Sequence, residues 1–199
     1  MKRITKAALG GLAGGALVLG GTQTAIGESV RQLFSGNVLD LGTRTGTTEA
    51  FDSAVATLKV TETPDGTTTL WVRVKGIDAD FAGKTFGSHL HMGVCDPKEL
   101  NPYDAVGPHY KRDPGAETSR ENEVWFDFVP NEEGVAVDKV VVPVAFGELV
   151  AGAPLVAGAH SIVIHAQATN EQSGSAGPRE VCLPLAVDSG TEPLPGAIP

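Results

Sequence analysis

Five histidines occur in the 199 residues, and four of them stand where an imidazole could take part in metal chemistry. His89 and His91 belong to Gly87-Ser88-His89-Leu90-His91. On a β-strand, residues i and i+2 point to one face, so both rings can reach a single ion. His165 closes the apolar run Ser161-Ile162-Val163-Ile164, where buried neighbours leave a free imidazole hard to satisfy. His109 follows Gly107-Pro108 in a polar loop region. Singly, each has a plainer reading, since a lone strand histidine is more often a surface or hydrogen-bonded core residue than a ligand. Together they form a candidate set of nitrogen ligands. His160, just ahead of His165, is read as structural.

The elements that must carry these residues are strands. Ala54, Ala56, Leu58 and Val60 alternate with Thr57, Lys59 and Thr61, with Val55 out of phase. After Pro64-Asp65-Gly66 the same alternation resumes through Leu70, Val72 and Val74. Two period-two runs flanking such a turn predict a hairpin over 50–77. Further strands are expected near Asn37–Leu41, Lys84–Val94, Glu123–Val129, Gly134–Val144, His160–Ala168 and Glu180–Val187. About eight antiparallel strands at this spacing, with Gly 25 and Pro 13 in the turns, predict an all-β fold. It would be a Greek-key barrel or sandwich of immunoglobulin-like kind.

Charge and export signals limit the function classes. A net charge of −9 argues against nucleic acid and anionic membranes as partners, and it repels small anions at long range. Lys2, Arg3 and Lys6 precede an apolar stretch from Ala7 to Gly21, and Ala25 and Gly27 supply small residues for cleavage. Thr22 and Thr24 are the alternative pair. The apolar run is about 15 residues, short of the roughly 20 a spanning helix needs. The reading is therefore a signal peptide over 1–27 and a lead-in segment over 28–48. A main domain over 49–188 and a Pro/Gly-rich disordered tail over 189–199 follow. The product would be secreted, periplasmic or associated with the cell envelope, with no transmembrane span in the mature chain. Cys95 and Cys182 are the only cysteines, and in an oxidising compartment a single pair implies one disulfide. Closing so long a loop contributes at most about 4–5 kcal/mol in the chain-entropy account.

Read in order, the motifs resemble a known family. Gly87-Ser88-His89-Leu90-His91-Met92-Gly93-Val94-Cys95 is similar to the copper-ligand strand of copper/zinc superoxide dismutases, first disulfide cysteine included. Gly107-Pro108-His109-Tyr110 resembles the bridging-histidine motif, and Ser161–His165 the last copper-ligand strand. Gly177-Pro178-Arg179-Glu180-Val181-Cys182 resembles the segment with the catalytic arginine and second disulfide cysteine. The resemblance implies one copper ion per chain on His89, His91, His109 and His165, and imidazole donors suit copper. It implies that His109 exchanges a proton during copper cycling, and that Arg179 guides superoxide against the negative background. It also implies the product pair, dioxygen and hydrogen peroxide.

The chain departs from that family in one coordinated way. No histidine lies between His109 and His160, and Tyr110–Phe128 offers only Asp113, Glu117, Glu121, Glu123 and Asp127. One imidazole with carboxylates makes a poor zinc site, so zinc is not expected. The His165–Arg179 segment is short, and Ala168, Thr169 and Asn170 stand where the family carries an aspartate linking the two metals' ligands. These losses resemble the copper-only branch. Without zinc, His109 needs another partner for its far nitrogen; Glu123 and Asp127 are the two candidates. A non-catalytic copper-binding or delivery module, and a structural envelope domain, are the competing functions.

Overall fold

Where apolar and polar residues alternate the chain is extended, and the extended runs pair into antiparallel sheets. The structure, a computed structural model, describes residues 29–41, 48–95, 101–153, 156–157 and 160–185. The expected signal segment 1–27 and tail 189–199 lie outside the described residues. The first strands are β1 (Ser29–Asn37), β2 (Leu39–Asp40), β3 (Val55–Glu62), β4 (Thr68–Lys75) and β5 (Ser88–His91). They are followed by β6 (Val135–Val142), β7 (Gly152–Ala153), β8 (Val156–Ala157), β9 (Ser161–His165) and β10 (Arg179–Pro184). Short helices α1 (Pro102–Ala105), α2 (Arg120–Glu123) and α3 (Phe146–Ala151) sit in the connections.

One sheet has the order β1-β3-β4-β6 and a second the order β2-β10-β9-β5, with β7 and β8 as a separate hairpin. The sheets are not closed into a barrel. They share one apolar core. The first contributes Ala56, Leu58, Val60, Leu70, Val72 and Val74; the second contributes Leu90, Ile162, Ile164, Val181 and Leu183. The hairpin expected around Pro64-Asp65-Gly66 joins β3 to β4, with Gly66 at φ 81. Val55, out of phase in the sequence, points outward and is 42% exposed.

The second sheet is covered on both faces. Leu90, Ile162 and Val181 face the shared core, so His89, His91, Val163 and Cys182, one residue out of step, face away from it. That far face holds a smaller apolar cluster of Leu41, Cys95, Val106, Val163 and Cys182. At its centre is the Cys95–Cys182 disulfide, with Cα atoms 5.9 Å apart.

Two stretches differ from the sequence expectation. The lead-in segment, expected to hold one strand near Asn37–Leu41, holds β1 as well as β2. A register shift between Gln32 and Phe34 breaks the alternation of β1, so the period-two signal was absent. The strand expected over Glu123–Val129 is not regular. Glu123 ends α2, capped by Ser119, and Val124 turns the chain in the left-handed region at φ 59. Beyond it, Trp125 and Phe128 make single bridges to His89 and Phe86. Val124, Phe126 and Phe128 are buried, as their spacing predicted.

Candidate metal centre

His89 and His91 leave β5 on its far face, and both rings are buried. The loop after α1 returns antiparallel to the end of β5, where His109 bridges His91. His165 ends β9, and Arg179 lies opposite it at the start of β10. One ring nitrogen from each of the four histidines lies within 4.8 Å of the others. Nitrogens about 2 Å from a shared ion stand no more than about 4 Å apart, so a small inward shift of the rings would bring the set onto a single metal ion.

Hydrogen-bond partners decide which nitrogens are free. His91 Nδ1 donates to Gly107 O at 2.9 Å, and His165 Nδ1 donates to Gly177 O at 3.0 Å. His109 Nδ1 donates to Glu123 Oε2 at 3.1 Å. Each of these rings therefore presents an Nε2 lone pair, because a neutral imidazole has one N–H and one acceptor. His89 is turned the other way: its Nε2 lies 2.8 Å from Thr169 Oγ1, and its Nδ1 lies 3.1 Å from His109 Nε2. His91 Nε2 and His165 Nε2 are 3.3 Å apart. The His91–His165 pair thus sets lone pair against lone pair, which a cation between them relieves.

Electrostatics keep these rings in the ligating form. Burial, reinforced by the neighbouring histidines, pushes His89 far below the ordinary imidazole range. Burial lowers His91 to about 2 and His165 to about 4, although backbone acceptors pull the other way. His89, His91 and His165 are therefore neutral at pH 7, as metal ligation requires.

Glu123 is the partner of His109 that the sequence left undecided. It is 3% exposed, and its Oε2 also accepts from Trp125 Nε1 at 3.1 Å. Thr118 Oγ1 donates to Oε1 at 3.3 Å, and Lys111 Nζ pairs with Oε1 at 3.4 Å. Burial by itself would raise its pKa; the bonds from His109 and Trp125 outweigh burial and hold the carboxyl below the usual range. Gly174 leaves the carboxylate its room, since a Cβ there would stand 2.6 Å from Oε2.

Asp127, the alternative partner, does not reach His109. Its oxygens accept from Thr169 Oγ1 at 2.6 Å and from Thr169 N at 3.2 Å. The reason is register. Residues 125–128 run along β5 from His89 towards Phe86, away from the end where His109 pairs with His91. Asp113, Glu117 and Glu121 are exposed. His160 lies outside the cluster, donating its backbone N–H to His91 O and accepting from Leu185 N. Sequence reasoning missed Thr169, Lys111, Thr118 and Trp125; only Trp125, two residues from Glu123, carried a local signal.

Arg179 is held beside the histidines by two backbone carbonyls. Nη1 donates to Tyr103 O at 2.8 Å and Nη2 to Gly107 O at 2.7 Å, with the guanidinium over the Tyr103 ring. Gly107 O therefore accepts from Arg179 and from His91 together. An open depression of about 510 Å³, lined by His109, His165, Arg179, Tyr103 and Gly177, leads to this edge of the cluster.

No protein-family model matches the chain, and no curated protein does. Solved structures do. A SOD-like protein from Bacillus subtilis is 20% identical with a TM-score of 0.50, over 76% of this chain and 99% of that one. A double mutant of a SOD-like protein from Bacillus subtilis is 19% identical with a TM-score of 0.49, over 77% and 99%. The clock protein EA4 is 15% identical with a TM-score of 0.49, over 66% and 85%. The likeness is one of fold: two antiparallel sheets in the SOD-like arrangement.

Proposed function

We propose that the chain is an exported copper-dependent superoxide dismutase that works without zinc. Its parts would be a signal peptide over 1–27, a lead-in over 28–48, the catalytic domain over 49–188 and a tail over 189–199. The observation that carries this reading is the convergence of four ring nitrogens, His89 Nδ1 and Nε2 of His91, His109 and His165. All-nitrogen donation from imidazoles suits copper. Copper bound there supplies one-electron exchange, so that two superoxide ions and two protons give one dioxygen and one hydrogen peroxide.

The surrounding residues have distinct tasks. His109 is partly exposed, at 22%, while the other three rings are buried. It can take up and release a proton at Nε2 while its Nδ1–H stays on Glu123. That same contact supports the zinc-free reading, because a bridging zinc would need the Nδ1 lone pair. Arg179 supplies a fixed positive charge at the opening, drawing a small anion towards His109 and His165. The disulfide supports export to an oxidising compartment. Among the described residues no helix is long and apolar enough to cross a membrane.

Arg179→Ala separates an enzyme from a copper-carrying module. In copper-loaded protein the enzyme reading predicts a fall in superoxide consumption of about tenfold or more with copper content unchanged. No turnover in copper-loaded wild type would establish a copper module without catalysis, and equal turnover in both proteins would remove Arg179 from the mechanism.

A further inference from the structure

The loop between β9 and β10 carries one hydroxyl that ligation alone does not account for. Thr169 Oγ1 donates to Asp127 Oδ1 at 2.6 Å, and the Thr169 amide donates to Asp127 Oδ2 at 3.2 Å. A hydroxyl has one hydrogen, and here it is committed to Asp127. The same oxygen meets His89 Nε2 at 2.8 Å with only lone pairs to offer, so the imidazole must be the donor. His89 is thereby fixed as the Nε2–H tautomer, and its Nδ1 lone pair is turned towards His109 Nε2.

This ring is the exception among the four. His91, His109 and His165 each donate Nδ1–H to a carbonyl or carboxylate. The packing leaves space for the exception: a Cβ on Gly87 would stand 2.6 Å from Thr169 Oγ1 and 2.9 Å from Gln167 O. The Gly87 amide also donates to Gln167 O at 2.7 Å, pinning the loop against β5.

We propose that Thr169, backed by Asp127, is the positioning residue for His89, selecting the tautomer and ring orientation that make Nδ1 the ligand atom. The pair also ties the 166–178 loop to the centre, so the loop and the ligand are set by one contact. The copper part of this inference rests on the proposed function; the tautomer part does not.

The test uses metal-free protein with ¹⁵N-labelled histidine, reading each ring's tautomer by long-range ¹H–¹⁵N correlation. Copper affinity by chelator competition is the second readout. Wild type and Thr169→Ser should show His89 protonated at Nε2 alone. Thr169→Val should populate both His89 tautomers and weaken copper about 10–100-fold, with Thr169→Ser restoring the affinity. Asp127→Asn, which keeps the side chain's size, should move the His89 signals the same way and carries the test if Thr169→Val does not fold. A wild-type His89 protonated at Nδ1, or a His89 signal unchanged in both variants, would overturn the proposal. Weak copper binding by wild type with the predicted tautomers would count against the proposed function and leave the positioning role standing.

Discussion

In the first sheet β3 and β4 alternate buried and solvent-facing positions, whereas β5 and β9 of the second sheet are buried at every residue. The first pattern belongs to a sheet with one wet face. In the second, the loops over 101–130 and 166–178 take the place of water. Covering the far face turns its side chains into an interior, which holds the strand histidines His89, His91 and His165, the loop residue His109 and the apolar cluster around the disulfide. The first sheet supplies core area to hold the second in place; the second gives a face to the histidine cluster.

Crossed substitutions break this comparison most sharply. His91→Ala should abolish stoichiometric copper binding, while Leu70→Ala, in the first sheet's core, should cost about 2–5 kcal/mol and leave copper affinity within a few-fold. Metal analysis and denaturant melts of both variants check this. Loss of copper in Leu70→Ala without unfolding would mean that the sheets are not separable in function.

A smaller effect should appear in the pH dependence of the metal-free protein. Burial holds His165 at about 4 and His91 at about 2 in the folded state, against an ordinary imidazole value near 6.5. Between those values the unfolded chain binds protons that the folded chain refuses, so stability rises with pH there. The contribution is fully present above about pH 6.5 and is lost as pH falls towards 4 and below. The slope is at most about 1.4 kcal/mol per pH unit for each ring. Denaturant midpoints at pH 7.5, 5.5 and 4.5 should show the fall, and Leu70→Ala should shift the curve without changing its slope. A flat profile across that window would show that the rings are not buried neutral.

The same contrast explains what could be read from the sequence. Alternation made β3 and β4 legible, and His89 and His91 could be placed together because two residues on a strand share a face. β1 was hidden by its register shift, and the 123–129 stretch by Val124 in a left-handed conformation. Glu123 was visible as one of two partners for His109, but the choice depended on how residues 125–128 run along β5. Thr169 was seen only as a residue standing where an aspartate was missing. Its contact with Asp127 spans 42 residues of chain and leaves no mark on local spacing.

In the proposed centre Glu123 does for His109 what a second metal would otherwise do, so one copper suffices. The most direct measurement is superoxide consumption by protein reconstituted with copper alone, with both metals quantified. Full turnover is expected at one copper per chain and no zinc, unchanged when zinc is added. Activity that appears only with equimolar zinc would contradict it.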